Sequence, residues 1–380
     1  MDTGAAAAVD ALFAPAPPVA DHPAVRAMAR VARDVLAPHA AAADDAARGV
    51  DPAHVALLAD SGMLAVSVPT DEGGLGGDAR TGIEAVELLS GACGATWFVV
   101  TQHQMPQAVA RGTLGLGDGC GLGPAAERHR LGLVSGRTRA GIAVAHLRRP
   151  GPPAVRAERD GSGWRFTGVS DWCTGWGLLD VVMIAATTAD DDVVLALLPA
   201  RDRAGLQAGP PLRLSVMGGT RTVALAIDDL VVGPDDVLAV VDGTAWRAAD
   251  TARTANAMPA ALGLLRRVVV ALGALGEERG RPEAVHAALH LGGHGAELRK
   301  RAYSLLLDVP AAEHLPERTA LRGELAGLTV RAAQALVAAR SGSALLADSP
   351  EQRWAREATF HLVQAQTAAV RAAQLTALAR

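Results

Sequence analysis

Asp171-Trp172-Cys173-Thr174-Gly175-Trp176-Gly177 sets two indoles and a threonine against a glycine turn, in a 380-residue chain that is only 3% aromatic. The stretch follows a strand-like run, Trp164–Gly168, and glycines close it. From the residues alone, Trp172 and Trp176 read either as core aromatics or as one wall of a binding site. A second stretch, Ala365-Gln366-Thr367, lies near the C-terminus in a helical region.

Around the first stretch, from about Leu131 to Val241, strand-like runs recur: Arg139–Ala145, Trp164–Gly168, Val181–Thr187, Val193–Leu198 and Thr222–Ile227. Clusters such as Pro150-Gly151-Pro152-Pro153 and Asp190-Asp191-Asp192 separate them, which predicts an antiparallel sheet or barrel. The flanks are helical. Val25, Met28, Val35 and Leu36 share one helical face. Asp51-Pro52 predicts a cap and first turn, and Thr81 predicts the cap of a helix over Gly82–Ala92. After Thr244, long Ala/Leu/Arg stretches break at Gly280-Arg281-Pro282, Val309-Pro310 and Asp348-Ser349-Pro350. Helices, a β unit and then helices predict an α+β protein of segregated layers. The expected divisions are a disordered Ala/Pro-rich N-terminus over 1–18, an N-terminal helical domain over 19–130, a middle β domain over 131–241 and a C-terminal helical bundle over 242–380.

Half the residues are apolar, so with few aromatics the core must be built from Ala, Val and Leu. A net charge of −4 without a basic block argues against nucleic acid. Three cysteines without metal spacing, and an N-terminus without a basic segment followed by an apolar run, predict a reduced cytoplasmic protein. No uninterrupted apolar stretch reaches the ~20 residues of a membrane span. His286, His290 and His294 share a helix face, but Gly292-Gly293 weakens the helix there and no carboxylate stands behind, so no metal is expected.

Leu57-Leu58-Ala59-Asp60-Ser61-Gly62-Met63-Leu64, then Val68-Pro69 and Gly73-Gly74-Leu75-Gly76, resemble the N-terminal helical signature of acyl-CoA dehydrogenases. Gly168–Gly175 resembles the strand whose Trp and Thr pack on the flavin. Met217–Thr222 and Asp228–Pro234 resemble the closing strands of the β domain, and Pro350, Arg353 and Arg356 the lead into the last catalytic helix. The ordered set spans roughly residues 20–380. The resemblance implies an N-terminal helical domain, a middle β domain and a C-terminal four-helix bundle, assembled as a homodimer or homotetramer. It implies FAD, with FMN or reduced flavin as alternatives, between β domain and bundle. Trp172 would lie against the isoalloxazine, Thr174 would bond flavin N5 or a ring oxygen, and Thr367 would begin the last flavin-facing segment.

Departures from the family are as informative. Dehydrogenation needs a carboxylate at the substrate α-carbon. The usual Glu aligns with Ala365, and the position used by a second branch falls near Arg253, with no Glu over Thr251–Leu265. Asp250 and Glu357 replace it only under a shifted alignment. The Thr-rich turn of the family falls at Ala145–Pro150 without its usual pattern. The Arg of the flavin-pyrophosphate motif aligns with Gly276, leaving Arg279 or Arg281 as stand-ins. Ser341–Leu345, Pro350, Gln352–Trp354, Arg356 and His361 resemble the flavin-dependent monooxygenase branch, where His361 would bond substrate or stabilise an oxygenated flavin; an ordinary helix histidine is the alternative reading. Three functions follow as expectations: a flavoprotein oxidoreductase acting on an acyl thioester or related small molecule without the usual Glu, a two-component monooxygenase supplied by a flavin reductase, or a non-catalytic protein that keeps the fold.

Overall fold

The computed structural model describes residues 4–117 and 120–379. The N-terminal helices are α1 (Ala5–Leu12), α2 (Pro17–Ala20), α3 (Pro23–Val31), α4 (Ala37–Asp44), α5 (Pro52–Asp60), α6 (Ala79–Ala92), α7 (Gly94–Thr101), α8 (Gln104–Ala110) and α9 (Pro124–Val134). Strands are β1 (Gly121–Leu122), β2 (Ala140–Ala143), β3 (Val155–Asp160), β4 (Gly163–Cys173), β5 (Val181–Thr187), β6 (Val193–Pro199), β7 (Leu206–Ala208), β8 (Val223–Val232) and β9 (Val237–Val241). The C-terminal helices are α10 (Gly243–Thr254), α11 (Pro259–Glu278), α12 (Pro282–Asp308), α13 (Leu315–Arg340), α14 (Pro350–Val363) and α15 (Ala368–Leu378).

The strands form one sheet in the order β1-β9-β6-β5-β3-β4-β8-β7, with β2 paired parallel to β5. Five of the strands match expected runs. β3 was missed because Arg156, Glu158 and Arg159 face solvent and dilute its apolar signal. Trp164, Phe166, Ile184, Leu198 and Leu230 fill one core of the sheet region, while Met183, Leu195 and Leu238 pack with α8, α9 and Trp246 of α10 in another. β4 runs five residues past its expected end. Gly168 takes φ +146 at a register shift, so the strand bends there without stopping. The expected boundary at 130/131 falls inside α9, and β structure already begins at β1, which pairs with β9.

Helices α11 to α14 form the bundle, and α15 lies along α13. The span Gly243–Glu278 is long and apolar enough to cross a membrane by length and composition, but 61% of its most apolar window is buried. Its apolarity serves the bundle core, where Leu262, Leu265, Val269 and Leu272 are buried.

Two further expectations are corrected. The cap of α6 is Asp78, whose carboxylate accepts the Thr81 N–H at 2.7 Å and the Thr81 hydroxyl at 2.6 Å; Thr81 is a first-turn residue. The tail over 1–18 is not disordered where it is described, and residues 1–3 lie outside the described residues. α1 docks between α11 and α12, with Val9 and Phe13 fully buried. Gly292 and Gly295 make the groove: a Cβ there would stand 2.9 Å from Val9 and 3.0 Å from Phe13. Arg266 donates to Asp10 at 2.8 Å. Val9 and Phe13, four apart, supply an apolar stripe that the Ala/Pro-rich composition hides.

Phe13→Ala is expected to lower the unfolding free energy by about 3–5 kcal/mol, measured by urea denaturation. A change below about 0.5 kcal/mol would mean the segment adds nothing to the core.

Candidate functional site

At the end of β4, Cys173 turns into the core and Trp172 turns outward, its side chain 47% exposed. Asp171 pairs with Arg149. The Thr174 side chain is buried, and its hydroxyl exchanges a hydrogen bond with Thr222 at 3.1 Å. Thr222 in turn meets Thr220 at 2.9 Å, and Thr220 donates to the Met217 carbonyl at 2.8 Å. Gly175 N–H donates to the Thr220 carbonyl at 2.9 Å. The expected closing strand Met217–Thr222 is thus a turn before β8, with Met217 and Arg221 in left-handed conformations at φ +53 and +50. Asp44 anchors this turn by accepting the Met217 N–H at 2.5 Å, and it also pairs with Arg356 of α14.

α7 is the floor shared by the Thr174 turn and α14. A Cβ on Gly175 would meet Val99 at 3.3 Å, and one on Gly94 would meet the Glu357 carboxyl carbon at 2.9 Å. Trp97 packs against His361 in a tilted contact with ring centroids 5.6 Å apart, and edge-on to Phe360 at 6.3 Å. Burial pushes the Glu357 carboxyl up to about 8, despite Arg353 at 3.5 Å. Burial likewise drives His361 down to about 4, so its imidazole is neutral at physiological pH. His361 Nδ1, Trp97 Nε1 and Gln364 Oε1 are buried without hydrogen-bond partners. The structure therefore brings His361 and Glu357 to one side of α7 and Thr174 to another.

Neither position to which the resemblance assigns a base carries a carboxylate. Ala365 lies in the turn between α14 and α15, at φ +45, rather than within a long helix, and Thr367 caps α15 by accepting the Val370 N–H at 3.3 Å. Arg253 lies in the last turn of α10, over the Trp246 ring at 5.6 Å. Arg148 grips Asp250 with two bonds of 2.7 Å, and Arg253 adds one of 3.1 Å. Burial works against ionisation of Asp250, but these two guanidinia outweigh it and hold its carboxyl below the usual range. It is a structural counterion and a poor proton acceptor.

Arg322, 2% exposed on α13, spans both places: it donates to the Thr254 carbonyl behind Arg253 and to the Gln364 carbonyl beside Ala365. These are carbonyls at the ends of α10 and α14, which lack helical donors. Burial, then the charge of Arg148, lowers Arg322 to about 10. Sequence reading missed this residue. Arg318 and Arg322 at i, i+4 in an apolar helix were the available signal, and they read equally as a solvated face.

Of the two stand-ins for the pyrophosphate arginine, Arg281 is committed elsewhere. Arg281 donates to the Ala339 carbonyl, Arg279 is exposed beside Glu278 at 3.3 Å, and Gly276 packs on Val285. His286 and His290 are exposed, while His294 meets Glu324 at 3.1 Å.

Residues 20–113 match the family described as acyl-CoA dehydrogenase, N-terminal domain. The "Probable acyl-CoA dehydrogenase FadE25" of Mycobacterium tuberculosis is 26% identical over 235 residues, which are 60% of this chain and 58% of that protein. This chain thus spans under two thirds of that relative's length. Among solved structures, glutaryl-CoA dehydrogenase from Mycobacterium smegmatis in complex with FADH2 superposes with a TM-score of 0.73 at 16% identity, covering 97% of this chain and 95% of that one. Indole-bound TdsC from Paenibacillus sp. A11-2 superposes with a TM-score of 0.74 at 18% identity, covering 94% and 96%.

The raised Glu357 carboxyl sets a pH dependence. The folded chain keeps a proton that the unfolded chain releases above about 4.5, so this contribution is complete below that pH and is lost as pH rises through about 8. Unfolding free energy measured from pH 5 to 8 should therefore fall more steeply for the wild type than for Glu357→Gln. Parallel profiles would mean that Glu357 is not held protonated.

Proposed function

We propose that this chain, whose fold is that of the acyl-CoA dehydrogenase superfamily, is a flavin-dependent oxidoreductase that works on an acyl thioester or related small molecule without an enzyme carboxylate at the α-carbon. The observation that carries this reading is the Arg322 bridge: both places for the base are closed by one buried guanidinium, with Arg253 and Ala365 beside it. A carboxylate cannot act there as a free base.

The residues fit FAD at the ring. Trp172 leaves a half-exposed indole on the outer face of β4, next to the buried Thr174, and a flat aromatic system suits that apolar surface. Bound FAD would supply two-electron chemistry. Trp172 would cover it from water, Thr174 would hold its polar edge, and Thr367 would stand beside it at the start of α15. The FADH2 complex of a fold neighbour supports FAD over FMN. The pyrophosphate would rely on groups other than Arg281. A homo-oligomer in the cytoplasm is the matching setting.

One observation favours a second reading, a two-component monooxygenase fed by a flavin reductase. His361 is neutral and buried, with Nδ1 unpartnered beside Trp97, so it suits a hydrogen bond to an uncharged substrate group.

Titration with FAD, followed by flavin absorbance and fluorescence, is expected to saturate, with Trp172→Ala weakening the dissociation constant about tenfold or more. Unchanged affinity in the variant would move the flavin away from β4. No response to FAD, FMN or reduced flavin would leave a non-catalytic role for the fold. With flavin bound, anaerobic acyl-CoA should bleach it slowly if at all; fast bleaching would mean a base has been overlooked. Oxygen-dependent product from reduced flavin would select the monooxygenase.

A further inference from the structure

We infer that α1 is a detachable strap, and that Arg266 couples its docking to the charge on the buried carboxylates of α6. The inference goes beyond the flavin reading and does not depend on it, because no group of the β4 turn takes part.

α1 has eight residues, a length too short to persist alone in water, so it forms where the bundle holds it. The contacts that hold it are few. Val9 and Phe13 fill the recess over Gly292 and Gly295. Gly273 lets the α1 backbone close in, since a Cβ there would stand 3.2 Å from the Ala6 nitrogen. Glu277 accepts the Ala5 N–H at the start of the helix. Near its end, Arg266 of α11 donates to Asp10 at 2.8 Å, and Arg267 beside it also feels the Asp10 charge. The connection to α2 is a hinge. Ala14 and Ala16 are exposed there, and the Phe13 and Ala14 amides bond back only to α1. α1 is therefore free to leave while α2 stays.

Arg266 has a second partner. It also donates to Glu84 at 3.4 Å. The Glu84 side chain is 1% exposed against 51% for Asp10, so one guanidinium runs from the surface into the core. Behind Glu84 lie Glu87, Arg299 and Tyr303. Arg299 Nε donates to both Glu87 oxygens, at 2.9 Å and 3.0 Å, and its Nη2 pairs with Glu84. The Tyr303 hydroxyl accepts from Arg299 at 2.9 Å and donates to Glu87 at 2.7 Å, and Arg80 lies over its ring at 5.2 Å. Among the described residues, no ion pair reaches the two glutamates from α2, α3 or α7.

Three carboxyl groups, of Asp10, Glu84 and Glu87, thus share two guanidinia in direct contact. With Glu87 protonated the charges balance: Arg299 serves Glu84, and Arg266 is left for Asp10. With Glu87 ionised, Arg299 is taken up by Glu87, Glu84 draws Arg266 inward, and Asp10 loses its partner. Burial raises the Glu87 carboxyl to about 7 despite Arg299, which puts this exchange near neutrality. Release of α1 removes the Asp10 charge and so favours ionised Glu87. The Glu87 carboxyl therefore holds its proton more tightly with α1 docked than with α1 released. Docking gains most where both states are protonated, and that gain is lost as pH rises through about 7.

Amide hydrogen exchange of the full-length protein, read by mass spectrometry and corrected for the intrinsic pH dependence of exchange, tests this. Protection of residues 5–13 is expected to fall at least about fivefold between pH 6 and 8.5, while α11 and α13 keep theirs. Glu87→Gln, neutral at every pH, should hold α1 protected across the range. Asp10→Asn should lower α1 protection at pH 6 and flatten its pH dependence. A flat wild-type profile, a loss of protection shared by the whole bundle, or a Glu87→Gln variant that keeps the wild-type slope each overturns the inference. If Glu87→Gln does not fold, the surface change Asp10→Asn decides, and an unaltered slope there overturns it.

Discussion

Two buried arginines on α13 hold the C-terminal half of this protein together. Arg318, 1% exposed, donates to the carbonyls of Glu313, Val309 and Pro310 and to Asn256 Oδ1 at 2.5–3.0 Å. Arg322, one turn on, reaches Thr254 and Gln364. Between them they join the α10–α11, α12–α13 and α14–α15 junctions to one helix. Helix ends carry carbonyls without donors, and a planar fork of N–H groups satisfies several at once. A helix bundle built mostly of Ala and Leu has few side chains that fix its ends, so these bonds set where its turns lie. The turn that carries Ala365 is one of them.

A second constraint acts through α7. The Thr174 turn packs on one side of it, and the Glu357–His361 face of α14 on another. Asp44 ties the same region together by holding both the Met217 turn and Arg356. The sheet and the bundle are therefore registered through a short N-terminal helix that carries Trp97, Phe98 and two small residues at its start, Gly94 and Ala95. Small residues allow close approach, and the tryptophan fills the space between the two partners.

The electrostatics divide accordingly. On α14 burial keeps two groups neutral, Glu357 protonated and His361 deprotonated. Between α6 and α12 a separate network sets Arg299 against Glu87 at 2.9 Å and 3.0 Å, with Tyr303 donating to Glu87 at 2.7 Å, and burial pushes the Glu87 carboxyl up to about 7. At the α10–α13 junction the charge is positive and unbalanced.

Much of the fold was legible in local pattern. Apolar runs between Gly, Pro and Asp clusters marked β2, β4, β5, β6 and β8, and Asp51-Pro52 marked the start of α5, with Asp51 accepting the Ala53 N–H at 2.8 Å. Ala at position 365 and Arg at position 253 could be read directly, because an absent carboxylate is a fact of composition. The docking of α1 was not legible, since Val9 and Phe13 mean nothing until Gly292 and Gly295 open a groove 280 residues away for them. Nor was the role of Arg322, whose partners are backbone carbonyls that every residue possesses. The sequence determined which elements form and which residues stand at positions 253 and 365, because those depend on the chain alone. Only the tertiary structure decided which buried charges meet, because a guanidinium acquires its partners and its cost of burial from residues distant in sequence.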